Sequence, residues 1–337
     1  MASATGRGHA PASNSQAVSP LKLIFLGGLG RSGSTIVGRL LGEFSGVCAV
    51  GEVVHLWQRG IVGAERCGCG EPFPDCPFWR KVGDAAFDGW HNVDVDVIRK
   101  LRASVDRMRF IPVLARPRLS AAHRSALDEY LSYYLRVYGA IAEVSGCPTV
   151  VDSSKNGSLA FCLRWSAGLD LRVVHIVRDP RAVAYSWTRP VARPDLSGPG
   201  ALGDRRMWTY SSPAAATQWN VQNGAMQLLA RCGTPVLRVR YEDFARAPET
   251  VLARIASFAA LPGNAVTEFL GADGTGAWAD LSVSHTVSGN PARFSSGRVA
   301  IRPDERWRSA MPASQRRVVA ALTLPLLARY GYARRAR

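Results

Sequence analysis

The chain has 337 residues, of which 47% are hydrophobic, so it has enough apolar side chains for a buried core in one large or two smaller domains. Its formal net charge of +16 favours an anionic substrate, but only four of the 42 basic residues are lysine and no basic run is interleaved with aromatic residues, so we expect no nucleic-acid partner. No apolar run approaches the ~20 residues that cross a bilayer, which argues against stable membrane insertion.

The first half of the chain combines one clear strand–turn–helix with a long irregular stretch. Residues 1–20 are rich in Ala, Ser, Gly and Pro and lack the apolar core of a signal peptide, so we expect a disordered tail and a cytoplasmic protein. A hydrophobic strand over Leu21–Leu26 enters a glycine-rich turn and then a helix over about Ser34–Glu43. Residues 53–148 predict a helical and irregular insertion, in which Ser120 caps a helix that runs to about Ser145.

Strands and helices alternate in the second half. The predicted elements are a strand at Thr149–Val151, a helix to about Ala167, a strand at Leu171–Val177, a helix from Pro180, a helix at about Pro213–Arg231, a strand at Val236–Tyr241, a helix at about Pro248–Ala260 and a last helix at about Ala313–Tyr330. This order predicts an α/β fold: a single P-loop-like domain over residues 21–332, with a central parallel sheet flanked by helices. Residues 333–337 form a basic tail.

The turn after the first strand has the features of an anion site. Glycines let the backbone approach a ligand closely, and the free N–H groups of the following helix favour negative charge. A Walker A loop would place lysine where Ser34 stands, although Gly28, Gly33 and Thr35 keep its spacing. Because Arg31 is the cation of this loop instead, the pattern favours a phosphate-like ligand and argues against Mg-ATP.

Two further strand ends carry cationic residues. Asp152-Ser153-Ser154-Lys155 follows the second predicted strand, and Arg178 follows the third. The carboxyl ends of parallel strands share one edge of a sheet, where open α/β sheets bind ligands. Three cationic groups at that edge predict a ligand with several negative groups.

Three of the seven cysteines, Cys67, Cys69 and Cys76, are clustered in CGCGEPFPDCPFW. The first interpretation is a structural loop with free or disulfide-paired thiols. The second is a zinc site with a fourth ligand such as His55, although the spacing matches no standard zinc pattern. We expect no metal in the catalytic site.

Two longer segments resemble sulfotransferases that use 3′-phosphoadenosine-5′-phosphosulfate. GLGRSGSTIVGRLL resembles their 5′-phosphosulfate loop in the arginine form of tyrosylprotein sulfotransferases, and VVHIVRDPRAVAYSW resembles the 3′-phosphate motif of carbohydrate sulfotransferases. VVDSSKNGS, VRYEDF and LLARYGY are similar to segments of bacterial members. The two main motifs follow predicted strands in the family's order, and the resemblance runs from about residue 21 to 332.

The resemblance implies roles for individual residues. It assigns donor binding to Arg31, Ser32, Gly33, Ser34, Thr35, Arg178 and Ser186 and, on looser alignment, to Tyr241 and Arg302. Arg31 and Lys155 would stabilise the leaving group. Glu52 would be the general base, with His55 as the alternative. The structural alternatives are a salt bridge of Arg178 with Asp179, a surface glutamate bonded to arginine, and a solvent-facing Lys155.

The family implies transfer of a sulfuryl group to an acceptor hydroxyl, with the donor as co-substrate and no metal required. We expect a small-molecule or carbohydrate acceptor, bound between the 53–148 insertion and a loop over residues 188–212 that is long enough to be a lid. Two hypotheses compete with this one. The first is a P-loop kinase or nucleoside triphosphatase without the Walker lysine, and the second is a non-catalytic protein that binds anions or nucleic acid.

Overall fold

The computed structural model describes residues 20–196, 206–261, 268–274 and 276–333. Its central element is a five-stranded sheet of β1 (Leu21–Gly27), β2 (Val47–Gly51), β3 (Thr149–Lys155), β4 (Leu169–Val177) and β5 (Val236–Arg240). The strands lie in the order β2–β3–β1–β4–β5, and every neighbouring pair is parallel. The connections from β1 and β4 leave toward opposite edges of the sheet. The crevice between the ends of β1 and β4 is therefore the topological switch point at which such sheets bind ligands.

Helices cover both faces of this sheet. They are α1 (Ser34–Leu41), α2 (Pro77–Phe87), α3 (Val95–Val105), α4 (Ile111–Leu114), α5 (Ala121–Ser145), α6 (Gly157–Leu163), α7 (Pro180–Trp187), α8 (Ser212–Arg231), α9 (Tyr241–Arg246), α10 (Pro248–Phe258), α11 (Trp307–Ala310) and α12 (Ala313–Arg329). The run Leu23–Leu26 of β1 is continuously apolar because both faces of the strand are buried. Leu23 and Phe25 enter the core that contains α2, α5 and α6, whereas Ile24 and Leu26 enter the core that contains α1 and α10. None of the described helices is long and apolar enough to cross a membrane.

The predicted fold class, a central parallel sheet flanked by helices, is confirmed. The Ser120 cap is also as predicted, because its side chain accepts a hydrogen bond from the His123 N–H at 3.4 Å. The predicted helices after residue 150 appear with ends that differ by a few residues, except that α6 ends at Leu163 rather than near Ala167. The predicted tail of residues 1–20, most of the 333–337 tail and residues 197–205 of the predicted lid lie outside the described residues.

Two parts of the fold are absent from the sequence prediction. β2 is a short edge strand with the sequence VCAVG. Its sequence is too short to predict a strand, and its parallel pairing with β3 stabilises the extended conformation. A second, antiparallel sheet contains β6 (Leu270–Asp273), β7 (Gly276–Leu281) and β8 (Gly297–Ile301). Its strands are rich in Gly, Ala and Asp, which have low β-propensity, and tertiary packing decides their conformation.

The insertion over residues 53–148 contains α2 to α5 and a π-helical segment at Leu56–Val62. Trp57 is buried edge-on against Phe87 and Tyr134. Tyr130, Tyr134 and Tyr138 form a buried stripe along α5 and belong to the core. Most of the insertion therefore packs against the sheet rather than facing the ligand crevice.

Candidate active site

The loop between β1 and α1 is held close to its neighbours by two glycines. Gly28 has φ +127° and Gly33 has φ +90°, both in the region that favours glycine. A Cβ on Gly28 would overlap the carbonyl of Ile176 in β4, and a Cβ on Gly33 would overlap the ring of Tyr241. No side chain caps the N-terminus of α1. The first N–H groups of α1 are therefore left for a ligand.

A cleft of about 460 Å³ lies beside this loop. It brings together eight of the predicted site residues, which are Arg31, Gly33, Ser34, Thr35, Glu52, Lys155, Arg178 and Ser186. The described lining contains six basic residues, which are Arg31, Arg59, Lys155, Arg178, Arg193 and Arg206, and one acidic residue, Glu52. Such a lining favours an anionic ligand with several charged groups.

Three predicted residues are not part of the cleft lining. Ser32 belongs to the loop and is buried. Tyr241 lies next to the cleft, between Gly33 and the guanidinium of Arg178. The side chain of Arg302 is exposed, and its backbone carbonyl accepts a hydrogen bond from the Tyr241 hydroxyl at 3.2 Å. The structure does not bring the Arg302 guanidinium into the cleft, because the chain turns its side chain to solvent.

Arg31 has a positive φ of 70°, which points its side chain into the cleft. Its guanidinium lies over the face of Trp187, 5.3 Å from the ring centroid, and contacts the sulfur of Met207 at 3.4 Å. Burial lowers the Arg31 pKa, against an opposing effect of Glu52. Among the described residues no carboxylate lies within ion-pair distance of Arg31, and its buried Nε has no hydrogen-bond partner. The Arg31 guanidinium is therefore a cation in the cleft with no ion-pair partner among the described residues, and it is suited to bind an anion.

Arg178 is 7% exposed and is fixed from three sides. Its Nη1 donates to the carbonyl of Arg31 at 3.1 Å, its Nη2 donates to the carbonyl of Asp304 at 3.0 Å, and its guanidinium lies over Tyr241. The acidic partner is the Asp304 carboxylate at 3.3 Å. The alternative of a salt bridge with Asp179 is wrong, because Asp179 caps α7 and pairs with Arg181.

Glu52, Lys155 and His55 form a cluster at the ends of β2 and β3. Lys155 Nζ donates a short hydrogen bond to Glu52 Oε1, and His55 Nε2 lies 3.5 Å from Oε2. Burial alone would raise the Glu52 pKa, but the charge of Lys155 and its hydrogen bond to Glu52 outweigh the effect of burial, and the net pKa is lowered. Burial lowers the His55 pKa to about 4 despite Glu52. At neutral pH Glu52 is therefore a carboxylate and His55 is a neutral imidazole.

The alternatives of a surface Glu52 bonded to arginine and a solvent-facing Lys155 do not hold. Glu52 is 9% exposed and its partner is lysine rather than arginine. Lys155 is half-buried in the cleft and has a φ of 65°, which turns its side chain back toward Glu52 and the Ser153 carbonyl.

Comparison with known proteins yields three kinds of match. Residues 170–265 match the family model described as "Sulfotransferase family", and this segment contains Arg178 and Ser186. Human carbohydrate sulfotransferase 6 is 32% identical over 177 residues, which cover 49% of this chain and 42% of that protein. Mouse carbohydrate sulfotransferase 3 is 29% identical over 176 residues, which cover 49% of this chain and 34% of that protein.

Residues 170–265 of the chain thus match the sulfotransferase family, and about half of the chain is similar to carbohydrate sulfotransferases. The chain spans less than half the length of these curated sulfotransferases. Solved structures also match: the sulfotransferase domain of the Synechococcus PCC 7002 olefin synthase has a TM-score of 0.46 and 19% identity over 91% of this chain and 95% of that domain. A sulfotransferase domain from the curacin biosynthetic pathway has a TM-score of 0.44 and 17% identity over 90% of this chain and 96% of that domain.

One buried residue beside this cleft has no assigned role in the sequence analysis. Asp152 is fully buried below Glu52 and Lys155. It accepts hydrogen bonds from the Tyr138 hydroxyl at 2.6 Å, from the Ser154 N–H at 2.7 Å and from the Val53 N–H at 3.3 Å. Asp152 thereby joins α5 to the segments that contain Glu52 and Lys155. Its position directly after an apolar predicted strand could have marked Asp152 as a candidate site residue. Only the tertiary contacts identify its hydrogen-bond partners.

Replacing Asp152 with asparagine is expected to change how stability depends on pH. Burial raises the Asp152 pKa from 3.8 to about 6, so the folded state binds a proton that the unfolded state has released. The stability of the unmodified protein should therefore fall as pH rises from about 4 to about 6, by about 3 kcal/mol, and this cost remains above pH 6. The amide of the Asp152→Asn variant does not titrate, so the variant should gain relative stability between pH 4 and pH 7.

Urea unfolding at pH 4 and pH 7 measures this difference. Asp128, whose side chain is half exposed on α5, provides the control as Asp128→Asn. Equal pH slopes for the unmodified protein and Asp152→Asn would contradict the expected titration.

Proposed function

We propose that this sulfotransferase-family chain transfers a sulfuryl group from 3′-phosphoadenosine-5′-phosphosulfate to a hydroxyl of a small-molecule or carbohydrate acceptor. One observation carries the proposal. The loops after β1 and β4 deliver Arg31 and Arg178 to the same cleft, which also contains the buried carboxylate of Glu52. Two separate guanidiniums suit a nucleotide with phosphate groups at two separate positions.

The loop itself argues for this donor over a nucleoside triphosphate. Ser34 stands where a Walker A loop needs its lysine, so the β- and γ-phosphates of ATP would lack their usual cation. Arg31 instead has a buried Nε without a hydrogen-bond partner, beside the N-terminus of α1. We assign the 5′-phosphosulfate to Arg31, Gly33, Ser34 and Thr35. The 3′-phosphate is assigned to Arg178 and Ser186.

The proposed reaction is an in-line displacement at sulfur. The acceptor oxygen forms a bond to sulfur, and the bond between sulfur and the 5′-phosphate oxygen breaks. The acceptor proton passes to Glu52, and the products are a sulfate ester and adenosine 3′,5′-bisphosphate. Arg31 and Lys155 stabilise the charge that develops on the leaving phosphate oxygen. His55 is neutral at pH 7 and remains the alternative base.

The hydrogen bond between Lys155 and Glu52 links donor binding to the base. A carboxylate paired with lysine has a low pKa and is a weak base. When the anionic donor binds, Lys155 can turn from Glu52 to the leaving group. The Glu52 pKa then rises, and the carboxylate becomes a stronger base when the sulfuryl group is present.

The pH dependence of the reaction tests this link. A base is active above its pKa, so activity should fall as pH drops through the Glu52 pKa. The acid limb of kcat/KM, which reports the free enzyme, should lie below pH 4.5 because the Glu52 pKa is lowered from that value. The acid limb of kcat should lie at higher pH. In the Lys155→Met variant the acid limb of kcat/KM should move to higher pH, because Glu52 loses the charge of Lys155. Acid limbs of kcat and kcat/KM at the same pH in the unmodified protein would contradict the movement of Lys155 from Glu52 to the leaving group.

The acceptor side of the cleft is lined by Arg193, by residues 206–208 and by the start of the insertion. Met207 and the 76% exposed Trp208 supply apolar surface, while His55, Arg59 and Asn290 supply polar groups. An apolar wall with a few polar groups fits a sugar or a small hydroxylated molecule. The carbohydrate sulfotransferases that this chain resembles support the same class. The cytoplasmic location stays a prediction.

A donor comparison tests the function directly. The purified chain is titrated with adenosine 3′,5′-bisphosphate, with 5′-AMP and with Mg-ATP, and is then incubated with ³⁵S-labelled donor and a panel of hydroxylated acceptors. We expect tight binding of the bisphosphate, weaker binding of both other nucleotides and label in at least one acceptor. Preference for Mg-ATP would favour the kinase alternative, and folded protein without bisphosphate binding would contradict the proposal.

A further inference from the structure

The cysteine cluster of the insertion meets a histidine from the opposite side of the fold. Cys67, Cys69, Cys76 and His285 each offer one ligand atom, and the four atoms all lie within 4.8 Å of one another. His285 is more than 200 residues away from the cysteines in sequence. The fourth residue is therefore His285 and not His55, which lies beside Glu52 in the cleft.

The distances within this group match a tetrahedron around one zinc ion. Zn–S bonds of about 2.3 Å and a Zn–N bond of about 2.0 Å place two sulfurs about 3.8 Å apart, and a sulfur and a nitrogen about 3.5 Å apart. The observed distances from Cys76 Sγ are 3.6 Å to Cys67 Sγ, 3.7 Å to Cys69 Sγ and 3.3 Å to His285 Nδ1. Cys67 Sγ lies 3.9 Å from the same nitrogen. A disulfide would need about 2.05 Å between two sulfurs, so the three thiols converge on a common centre instead of forming a pair.

Neighbouring groups hold the ligands in this arrangement. The indole N–H of Trp79 donates to the His285 carbonyl at 2.9 Å, and the ring of Phe78 stacks on the imidazole at 5.0 Å. Both aromatic residues are in the first turns of α2, directly after Cys76. The Gly68 N–H, between Cys67 and Cys69, donates to the Thr286 carbonyl at 2.9 Å. These contacts hold the cysteine loop and the histidine loop together around the four ligand atoms. Outer-shell groups orient the ligands of metal sites in the same way.

A buried cation offsets the charge that such a site would carry. Zinc with three thiolates and a neutral imidazole has a net charge of −1. Arg293 is 1% exposed and donates to the carbonyl of Thr286 at 2.7 Å and to the carbonyl of Arg66 at 2.6 Å. These carbonyls belong to the residues next to His285 and Cys67. The guanidinium also lies 3.8 Å from the buried Asp195 carboxylate, so its charge acts on both that carboxylate and the anionic complex.

We propose that Cys67, Cys69, Cys76 and His285 bind one structural Zn²⁺ ion. Three thiolates and an imidazole are a donor set typical of zinc, and four protein ligands leave no position for substrate. The ion fastens the insertion to the loop that follows His285. In that loop the Val287 N–H donates to the Val50 carbonyl and the Val287 carbonyl accepts from the Glu52 N–H, both at 2.8 Å. The zinc therefore supports the segment that positions Glu52, from outside the reaction centre.

The metal content of the full chain tests the site without any activity assay. Protein purified without chelator should contain about one zinc per chain by mass spectrometry of the metal. Chelated protein reloaded with Co²⁺ should show the visible bands of tetrahedral cobalt together with thiolate-to-cobalt charge transfer. Chelation should lower the temperature of unfolding and Zn²⁺ should restore it, because a metal that binds the folded state stabilises it.

Matched variants locate the ion. Cys69→Ser and His285→Gln should lower the zinc content and abolish the cobalt bands. Cys147→Ser and His91→Gln should keep both, because these residues lie outside the cluster. If the ligand variants do not fold, the cobalt spectrum of the unmodified chain still decides the proposal. Unmodified protein without bound zinc or cobalt thiolate bands, or ligand variants that retain the metal, would overturn it. A disulfide among the three cysteines in protein purified under reducing conditions would do the same.

Discussion

Replacing Glu52 with glutamine is expected to lower kcat by about 10²–10⁴-fold, the usual contribution of a general base. The amide has the same shape and can still accept a hydrogen bond from Lys155, but it cannot take the acceptor proton. Affinity for adenosine 3′,5′-bisphosphate should change little, because the proposed contacts with the nucleotide come from Arg31, Arg178 and the loop before α1. Steady-state kinetics and calorimetry on the same preparation measure the two effects separately.

Two controls make this result interpretable. Glu129→Gln removes one carboxylate from the exposed face of α5 and should leave kcat unchanged. His55→Gln removes the other group that could act as base. If His55→Gln abolishes turnover while Glu52→Gln retains it, the roles of the two residues are reversed. A loss of nucleotide affinity in Glu52→Gln as large as the loss of kcat would show that Glu52 supports binding rather than proton transfer.

Replacing Arg31 or Arg178 with alanine is expected to weaken binding of adenosine 3′,5′-bisphosphate by about 10–150-fold each, since a hydrogen bond to a charged group contributes about 1.5–3 kcal/mol. The two losses need not add. Arg178 donates to the backbone carbonyl of Arg31, and residues in direct contact often show coupled effects. A double-mutant cycle by calorimetry measures this coupling.

The choice of nucleotide separates the two arginines. Arg178 is assigned to the 3′-phosphate, so Arg178→Ala should lose most of the preference for the 3′,5′-bisphosphate over 5′-AMP. Arg31→Ala should lower the affinity for both nucleotides and keep the preference for the 3′,5′-bisphosphate. Arg99→Ala, on the exposed face of α3, removes the same charge outside the cleft and should change neither affinity. If Arg178→Ala keeps full preference for the bisphosphate, the assignment of its partner phosphate is wrong.

Several features of the site could be predicted because their causes are local. A glycine-rich loop between an apolar strand and a helix predicts an anion site whatever surrounds it, and Gly28 and Gly33 do occupy conformations that favour glycine. The order of strands and helices predicts a parallel sheet, and a parallel sheet places Arg31, Lys155 and Arg178 at one edge. These conclusions depend on neighbouring residues and on one topological rule.

Other features depend on residues far apart in sequence. Asp304 rather than Asp179 is the partner of Arg178, because Asp179 is already used to cap α7 and hold Arg181. Tyr138 holds Asp152 from a helix within the insertion. The chain contains many aspartates and several tyrosines. The residues that flank Asp304 and Tyr138 in sequence do not distinguish these two from the others.

The fold class, the glycine-rich loop before α1 and the cationic strand ends thus follow from the sequence, because hydrophobic periodicity, glycine spacing and the succession of elements along the chain are local properties. The tertiary structure alone decided which groups meet: Lys155 with Glu52 in the cleft, and His285 rather than His55 with the three cysteines. Such pairs depend on how loops from distant parts of the chain pack. The free energy that selects them comes from the burial of the whole core and not from the residues of the pair.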